Sequence, residues 1–274
     1  MHEAAIKAMG LEGWSYQRLP VPPELFAETV RALPGSGFAG ANVTIPHKEA
    51  ALALATEHEE EVEAIGAANT LTFAGEDIVA ANTDAAALLA VAPEDPGRAL
   101  VLGAGGSARA AVWALRRRGA EVLVWGRTHA RAAALAAELG ATAVGEGEEP
   151  EATEAGEANE GDEPGASEAG GVGDAGRWGG VDVIVNCTPI GLTAGDDPFC
   201  SLPLGRADLE RARMVVDLAY AAEETMLVAA ARSAGVPSVV DGLEILARQG
   251  ALSLERWTGR PAPLDVMRAA AATP

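Results

Sequence analysis

Apolar residues along this chain recur at two spacings, one helical and one extended, and the segments that carry them alternate. Helical spacing predicts helices over 1–9, 23–33, 47–55, 59–65 and 84–90. Extended patterns fall between them, over 14–19, 40–45, 69–73 and 78–81. Residues 91–97, with Pro93, Pro96 and Gly97, read as a linker. Beyond it the rhythm becomes strictly strand then helix. Strands are expected over 99–102, 122–125, 181–185, 214–217 and 236–240. Helices are expected over 107–118, 129–139, 226–234, 243–257 and 264–272. The fold class is therefore α/β.

The segment Asn42-Val43-Thr44-Ile45-Pro46-His47-Lys48 concentrates chemistry. Val43 and Ile45 alternate with Asn42 and Thr44, so a short strand would carry two apolar groups on one face and two hydrogen-bonding groups on the other. Pro46 ends that strand and opens the helix that Glu49 to Leu54 continues. Lys48 then falls in the first helical turn, where the dipole disfavours a cation. It is also one of only two lysines, with Lys7, in a chain that otherwise uses arginine. A solvated first-turn lysine is the plain reading, and a functional cation is the other.

A second concentration lies at Gly103-Ala104-Gly105-Gly106-Ser107-Ala108, between an apolar strand and a helix. Gly103 permits a tight turn, Gly105 allows a pyrophosphate to approach the backbone, and Ala108 is small enough for helix–strand packing. Exposed amides at the helix start would then hold the phosphates. The next strand ends Trp125-Gly126-Arg127-Thr128, with Arg131 one turn later. A dinucleotide without a 2′-phosphate would call for an acid there. Arg127 and Arg131 instead suit a 2′-phosphate, and no acid is expected to compete for the site. Two solvated arginines are the alternative.

In order and spacing, these motifs and Ala67-Ala68-Asn69-Thr70, Asn82-Thr83-Asp84, Asn186-Cys187-Thr188-Pro189-Ile190-Gly191, Asp217-Leu218-Ala219-Tyr220 and Asp241-Gly242 through Gln249-Gly250 resemble the shikimate dehydrogenase family. The resemblance covers nearly all of the chain outside 145–180. It implies an N-terminal α/β substrate domain formed by 1–84 and 241–274, whose last helices return to it. It implies a Rossmann-type, doubly wound dinucleotide-binding domain over 85–240, with the crevice between the two as the ligand site. The implied reaction moves hydride between NADPH and the 3-keto group of 3-dehydroshikimate. Lys48 would be the proton donor, and Asp84 its partner and a ligand of a ring hydroxyl. Seen alone, Asp84 is equally an N-cap for Ala85-Ala86-Ala87-Leu88. Thr44, Asn69, Tyr220 and Gln249 would meet the substrate, and Gly242 and Thr128 would join the cofactor site. His47 reads as a structural neighbour of Lys48; His2, His58 and His129 carry no signal, and Trp14, Trp113 and Trp257 read as packing.

Two departures qualify that resemblance. Gly126 stands where the family has asparagine. The family also places a strand and a Ser-x-Ser-Pro turn, whose serines hold the substrate carboxylate, ahead of a Met-His pair; here Met1-His2 opens the sequence. Either the true start lies further upstream, or substrate anchoring has been lost; for the chain as it stands, weak shikimate binding is the expectation. The alternatives are a quinate/shikimate enzyme using NAD, or a cofactor-binding remnant with impaired catalysis.

Composition narrows the setting. Hydrophobic residues make up 49% and charged residues 22%, as in a soluble globular chain, and no run is long enough for a membrane span. Cys187 and Cys200 are too few for a disulfide framework and have no metal-ligand spacing, so a cytoplasmic setting, reduced thiols and no metal are expected. The net charge of −20 is concentrated: eleven of the 40 acidic residues lie within 145–176, with no Lys or Arg among them. That stretch is expected to be a disordered surface insertion spanning 145–180. No basic cluster suggests nucleic acid. The expected partner is a small-molecule substrate, and the family leaves room for a homodimer.

Overall fold

The strands form two sheets that differ in kind. The computed structural model describes residues 1–145, 178–193, 195–221 and 223–273. In its first part α1 (His2–Ala8), α2 (Phe26–Ala32), β1 (Gly40–Asn42), α3 (Lys48–Leu54), β2 (Glu57–His58), α4 (Glu60–Ile65), β3 (Thr70–Ala74), β4 (Asp77–Ala81) and α5 (Thr83–Val91) follow in order. The sheet order is β1-β3-β4-β2, with β3 antiparallel to both β1 and β4, and β2 parallel to β4. Leu71, Ile78 and Ala80 from this sheet close a core with Phe26, Val30, Ala51 and Val62 from the helices.

The second part contains β5 (Arg98–Leu102), α6 (Gly106–Arg117), β6 (Glu121–Trp125), α7 (His129–Leu139), β7 (Thr142–Val144), β8 (Val183–Asn186), α8 (Pro198–Ser201), α9 (Arg206–Arg211), β9 (Met214–Asp217), α10 (Met226–Ser233) and β10 (Ser238–Val240). Its six strands are all parallel, in the order β10-β9-β8-β5-β6-β7. Counted from β5 this is the 3-2-1-4-5-6 order of a doubly wound dinucleotide-binding sheet, whose direction reverses between β5 and β8. Both faces are buried, which explains the unbroken apolar runs. Val101, Val124 and Val185 pack on one face against α5, α6 and α7, while Leu100, Leu123 and Ile184 pack on the other against α9 and α10.

The last two helices, α11 (Gly242–Thr258) and α12 (Leu264–Ala271), return to the first sheet. Ala247, Ala251 and Leu254 of α11 share a core with Ala5 and Ile6 of α1 and Met267 of α12. Trp257 packs there, as expected, and its indole also donates to the Leu71 carbonyl at 3.0 Å.

Several expectations are corrected. The strand expected over 40–45 stops at Asn42, because the chain turns at Thr44, whose carbonyl accepts from the His47 amide at 2.9 Å. Val43 is buried but Ile45 is 60% exposed, so the two do not share an apolar face. Residues 14–19 form no strand, and β2, β7, α8 and α9 were not anticipated. The expected disorder of the acidic stretch falls mostly on 146–177, outside the described residues. Near its far end Trp178 is fully buried among Leu100, Leu102 and Leu204, its indole donating to Pro203 at 2.7 Å, while Gly179 and Gly180 are exposed.

Candidate active site

Lys48 is the first residue of α3, and neighbouring contacts fix its backbone. Its carbonyl accepts from the Ala68 amide at 2.8 Å. The His47 ring stacks on Phe26 with centroids 4.3 Å apart and meets the Val21 carbonyl at 2.9 Å, so His47 is structural. The lysine Nζ donates to Asp84 Oδ2 at 2.6 Å and to Ser107 Oγ at 2.8 Å. Asp84 is free for this because Asn82 caps α5, its Oδ1 accepting from the Ala85 amide at 3.0 Å. The capping alternative for Asp84 is thereby excluded. Both side chains of the ion pair are nearly buried, at 12% and 9% exposure. The arrangement holds the Lys48 side chain between Asp84 and the first turn of α6.

Beside this pair runs a buried polar network that joins α11 to the first sheet. Asn69 Nδ2 donates to Gln249 Oε1 at 3.3 Å, while Asn69 Oδ1 accepts from the Thr83 amide at 2.7 Å and the Thr70 and Thr83 hydroxyls at 3.1 Å. Ser253, one turn beyond Gln249, lies 2.8 Å from the Thr70 hydroxyl and receives Asn42 Nδ2 at 2.7 Å. Tyr16 extends the chain by donating to Asn42 Oδ1 at 3.1 Å. Sequence reasoning named Asn69 and Gln249 but missed Ser253, whose partners Thr70 and Asn42 lie far from it in the chain. His2, which carried no signal, is buried and stacks on Tyr16 at 4.0 Å, and burial pushes its pKa down to about 4.

The glycine loop sits at the reversal point of the parallel sheet. Gly103 has φ +116, and a Cβ there would lie 3.2 Å from the backbone of Cys187. Nothing lies within 4 Å of a Cβ built on Gly105, the N-cap of α6, which has no side-chain cap. The start of α6 therefore has no side-chain cap and has room over Gly105, which suits a pyrophosphate. A Cβ on Gly106, by contrast, would come within 2.7 Å of Lys48 Cβ. Ala108 is fully buried. The departure at Gly126 has a local cause: a Cβ there would crowd those of Ala104 and Ala132, at 3.2 and 3.4 Å.

The remaining expected positions are more open. Arg127 and Thr128 are exposed, and Thr128 is the N-cap of α7 without a side-chain cap bond. Arg131 is also exposed, but Glu49 of α3 approaches it to 3.8 Å, so an acid from across the crevice does compete for it. Thr44 is exposed, and Tyr220 is 44% exposed at the end of β9. Gly242 starts α11 so close to the Ala219 carbonyl that a Cβ would lie 2.3 Å from it. Cys187 is buried, which raises its thiol pKa strongly. Asp217 accepts from Thr225 at 2.6 Å, Asn186 at 2.8 Å and the Ala219 amide at 3.0 Å, while burial holds its carboxyl above the usual range.

An open glycine loop at the switch point of such a sheet defines the dinucleotide-binding class of α/β proteins. Comparison with known proteins narrows this. Residues 1–71 match the shikimate dehydrogenase substrate binding domain, and residues 242–272 match the shikimate 5′-dehydrogenase C-terminal domain. A shikimate dehydrogenase (NADP(+)) from Methanocella arvoryzae is 39% identical over 99% of this chain and 91% of its own length. One from Anaeromyxobacter sp. strain Fw109-5 is 40% identical, covering 100% and 90%. The crystal structure of shikimate 5-dehydrogenase from Thermus thermophilus, in complex with NADP(H) and shikimate, superposes with a TM-score of 0.78 at 34% identity, covering 98% and 91%. The chain belongs to the shikimate dehydrogenase family.

Proposed function

We propose that this protein is an NADP-dependent shikimate dehydrogenase that reversibly reduces 3-dehydroshikimate to shikimate in aromatic amino-acid biosynthesis. One observation carries the reading: the buried Lys48–Asp84 pair lies directly against the glycine loop. Proton donor and cofactor cradle therefore share one crevice. The named relatives and the complex of the Thermus protein support the substrate and cofactor. Residues 1–84 with 241–274 would act as the substrate unit and 85–240 as the cofactor unit, in keeping with the two sheets and the returning helices. The two free thiols fit a reducing cytoplasmic setting.

The residues fit the cofactor. Open space over Gly105 and the uncapped start of α6 would take the pyrophosphate beside Gly103, Ala104, Gly106, Ser107 and Ala108. Arg127, Thr128 and Arg131 would take the 2′-phosphate, and Gly242 would border the nicotinamide side. NADPH, when bound, supplies the hydride. Lys48 donates a proton to the oxygen on which negative charge develops, and in the reverse direction accepts it. Asp84 orients the ammonium and accepts from a ring hydroxyl. Asn69 has its oxygen saturated, so it would serve the substrate as an N–H donor, with Thr44, Tyr220 and Gln249 around it.

Steady-state assay of the purified chain tests this. Shikimate with NADP+ should be turned over, and with NAD+ much more slowly. Preference for quinate with NAD+ would select the alternative enzyme. NADPH binding without turnover of any such substrate would select a remnant.

A further inference from the structure

Serine at a helix start ordinarily caps its own helix. Ser107 does not: the N-cap of α6 is Gly105, and no side chain caps the helix. The Ser107 hydroxyl instead accepts from Lys48 Nζ at 2.8 Å, across 59 residues of sequence, with Ser107 itself only 7% exposed. The preceding residue adds a second constraint, since Lys48 Cβ and Cδ would lie 2.7 and 3.2 Å from any Cβ on Gly106. The lysine stem rests on the loop backbone and its tip is tied to the loop's hydroxyl.

We propose that Ser107 is a positioning residue for the proton donor, its hydroxyl fixing the Lys48 ammonium to the cofactor loop. The inference rests on Lys48 acting as the acid. An ammonium has three N–H donors. Asp84 Oδ2 takes one and Ser107 Oγ another, from separate elements, so the direction of the third is set. With Asp84 alone, the ammonium would pivot about a single contact, and small errors of placement are expensive in rate. Ser107 also stands on the helix whose start faces the phosphates, so the acid is held to the same rigid element as the cofactor.

The test is a cycle of Ser107→Ala, Lys48→Met and the double variant in the full chain, with direct NADPH titration and kcat and KM for shikimate. Ser107→Ala should bind NADPH within about twofold of the parent and keep KM nearly constant, while kcat falls about tenfold. In the Lys48→Met background the same change should leave kcat unaltered, since the hydroxyl then has no ammonium to hold. An unchanged kcat for Ser107→Ala would overturn the proposal. Weaker NADPH binding at intact kcat would overturn it too, assigning the hydroxyl to a phosphate. An equal further loss in the Lys48→Met background would show that the effect does not pass through Lys48. Parent-like turnover of Lys48→Met alone would instead remove the underlying reading of the acid.

Discussion

The two ends of the crevice are built on opposite principles. At the lysine end, Lys48, Asp84 and Ser107 are nearly buried and joined at 2.6 and 2.8 Å. At the arginine end, Arg127 and Arg131 are exposed, and Glu49 stands off from Arg131 at 3.8 Å. Burial with two fixed partners sets the direction of the remaining N–H, which proton transfer needs. Exposure leaves charge available to an incoming anion, which recognition needs, at the cost of screening by salt. The same contrast separates adjacent glycines: Gly106 is filled by Lys48, whereas Gly105 faces open space.

The sharpest way to break this contrast is at the buried end. Asp84→Asn should lower unfolding free energy in urea by about 3 kcal/mol, because it leaves a nearly buried cation with one charged contact fewer. Arg131→Ala should change stability by less than about 0.5 kcal/mol. Equal stability losses would erase the distinction. Next, Gly106→Ala should destabilise by about 2 kcal/mol through overpacking against Lys48 and slow turnover. Gly105→Ala should fold normally and show its effect in NADPH binding. If Gly106→Ala melts and turns over like the parent, Lys48 does not rest on the loop as described.

Smaller effects belong to the exposed end. Arg127→Ala and Arg131→Ala should each weaken NADPH binding by about 1.5 kcal/mol while NADH binding barely moves. Parallel losses for both cofactors would show that the arginines do not read the phosphate. Smallest of all, Glu49→Gln should tighten NADPH binding by about 0.5 kcal/mol at low ionic strength and by less at high salt. Titrations at two salt concentrations check it; weaker binding in this variant would mean that Glu49 supports the site.

What was legible in the sequence follows from how local each feature is. The strand–glycine loop–helix unit and the first-turn position of Lys48 are set by neighbours in the chain, and both stand as read. The parallel sheet was legible because strands buried on both faces need unbroken apolar runs. Short elements such as β2 and α8 were missed, since a few residues carry no period. Whether Asp84 caps α5 or serves the site was undecidable locally, because Asp commonly caps; the fold gives the cap to Asn82 and pairs Asp84 with Lys48. Glu49 facing Arg131, Ser107 holding Lys48 and Ser253 joining Thr70 all bring together residues far apart in sequence, so only the tertiary fold displays them. Ile45 was misread because alternation alone does not say where a strand ends.

The central claim is that Lys48 supplies the proton from the buried end while the exposed end merely holds the cofactor. Single-turnover reduction of 3-dehydroshikimate by Lys48→Met preloaded with NADPH tests it most directly. The rate of NADPH consumption should fall about 10²-fold or more, with NADPH affinity close to that of the parent. A single-turnover rate equal to the parent's, at equal cofactor occupancy, would contradict the assignment of Lys48 as the acid.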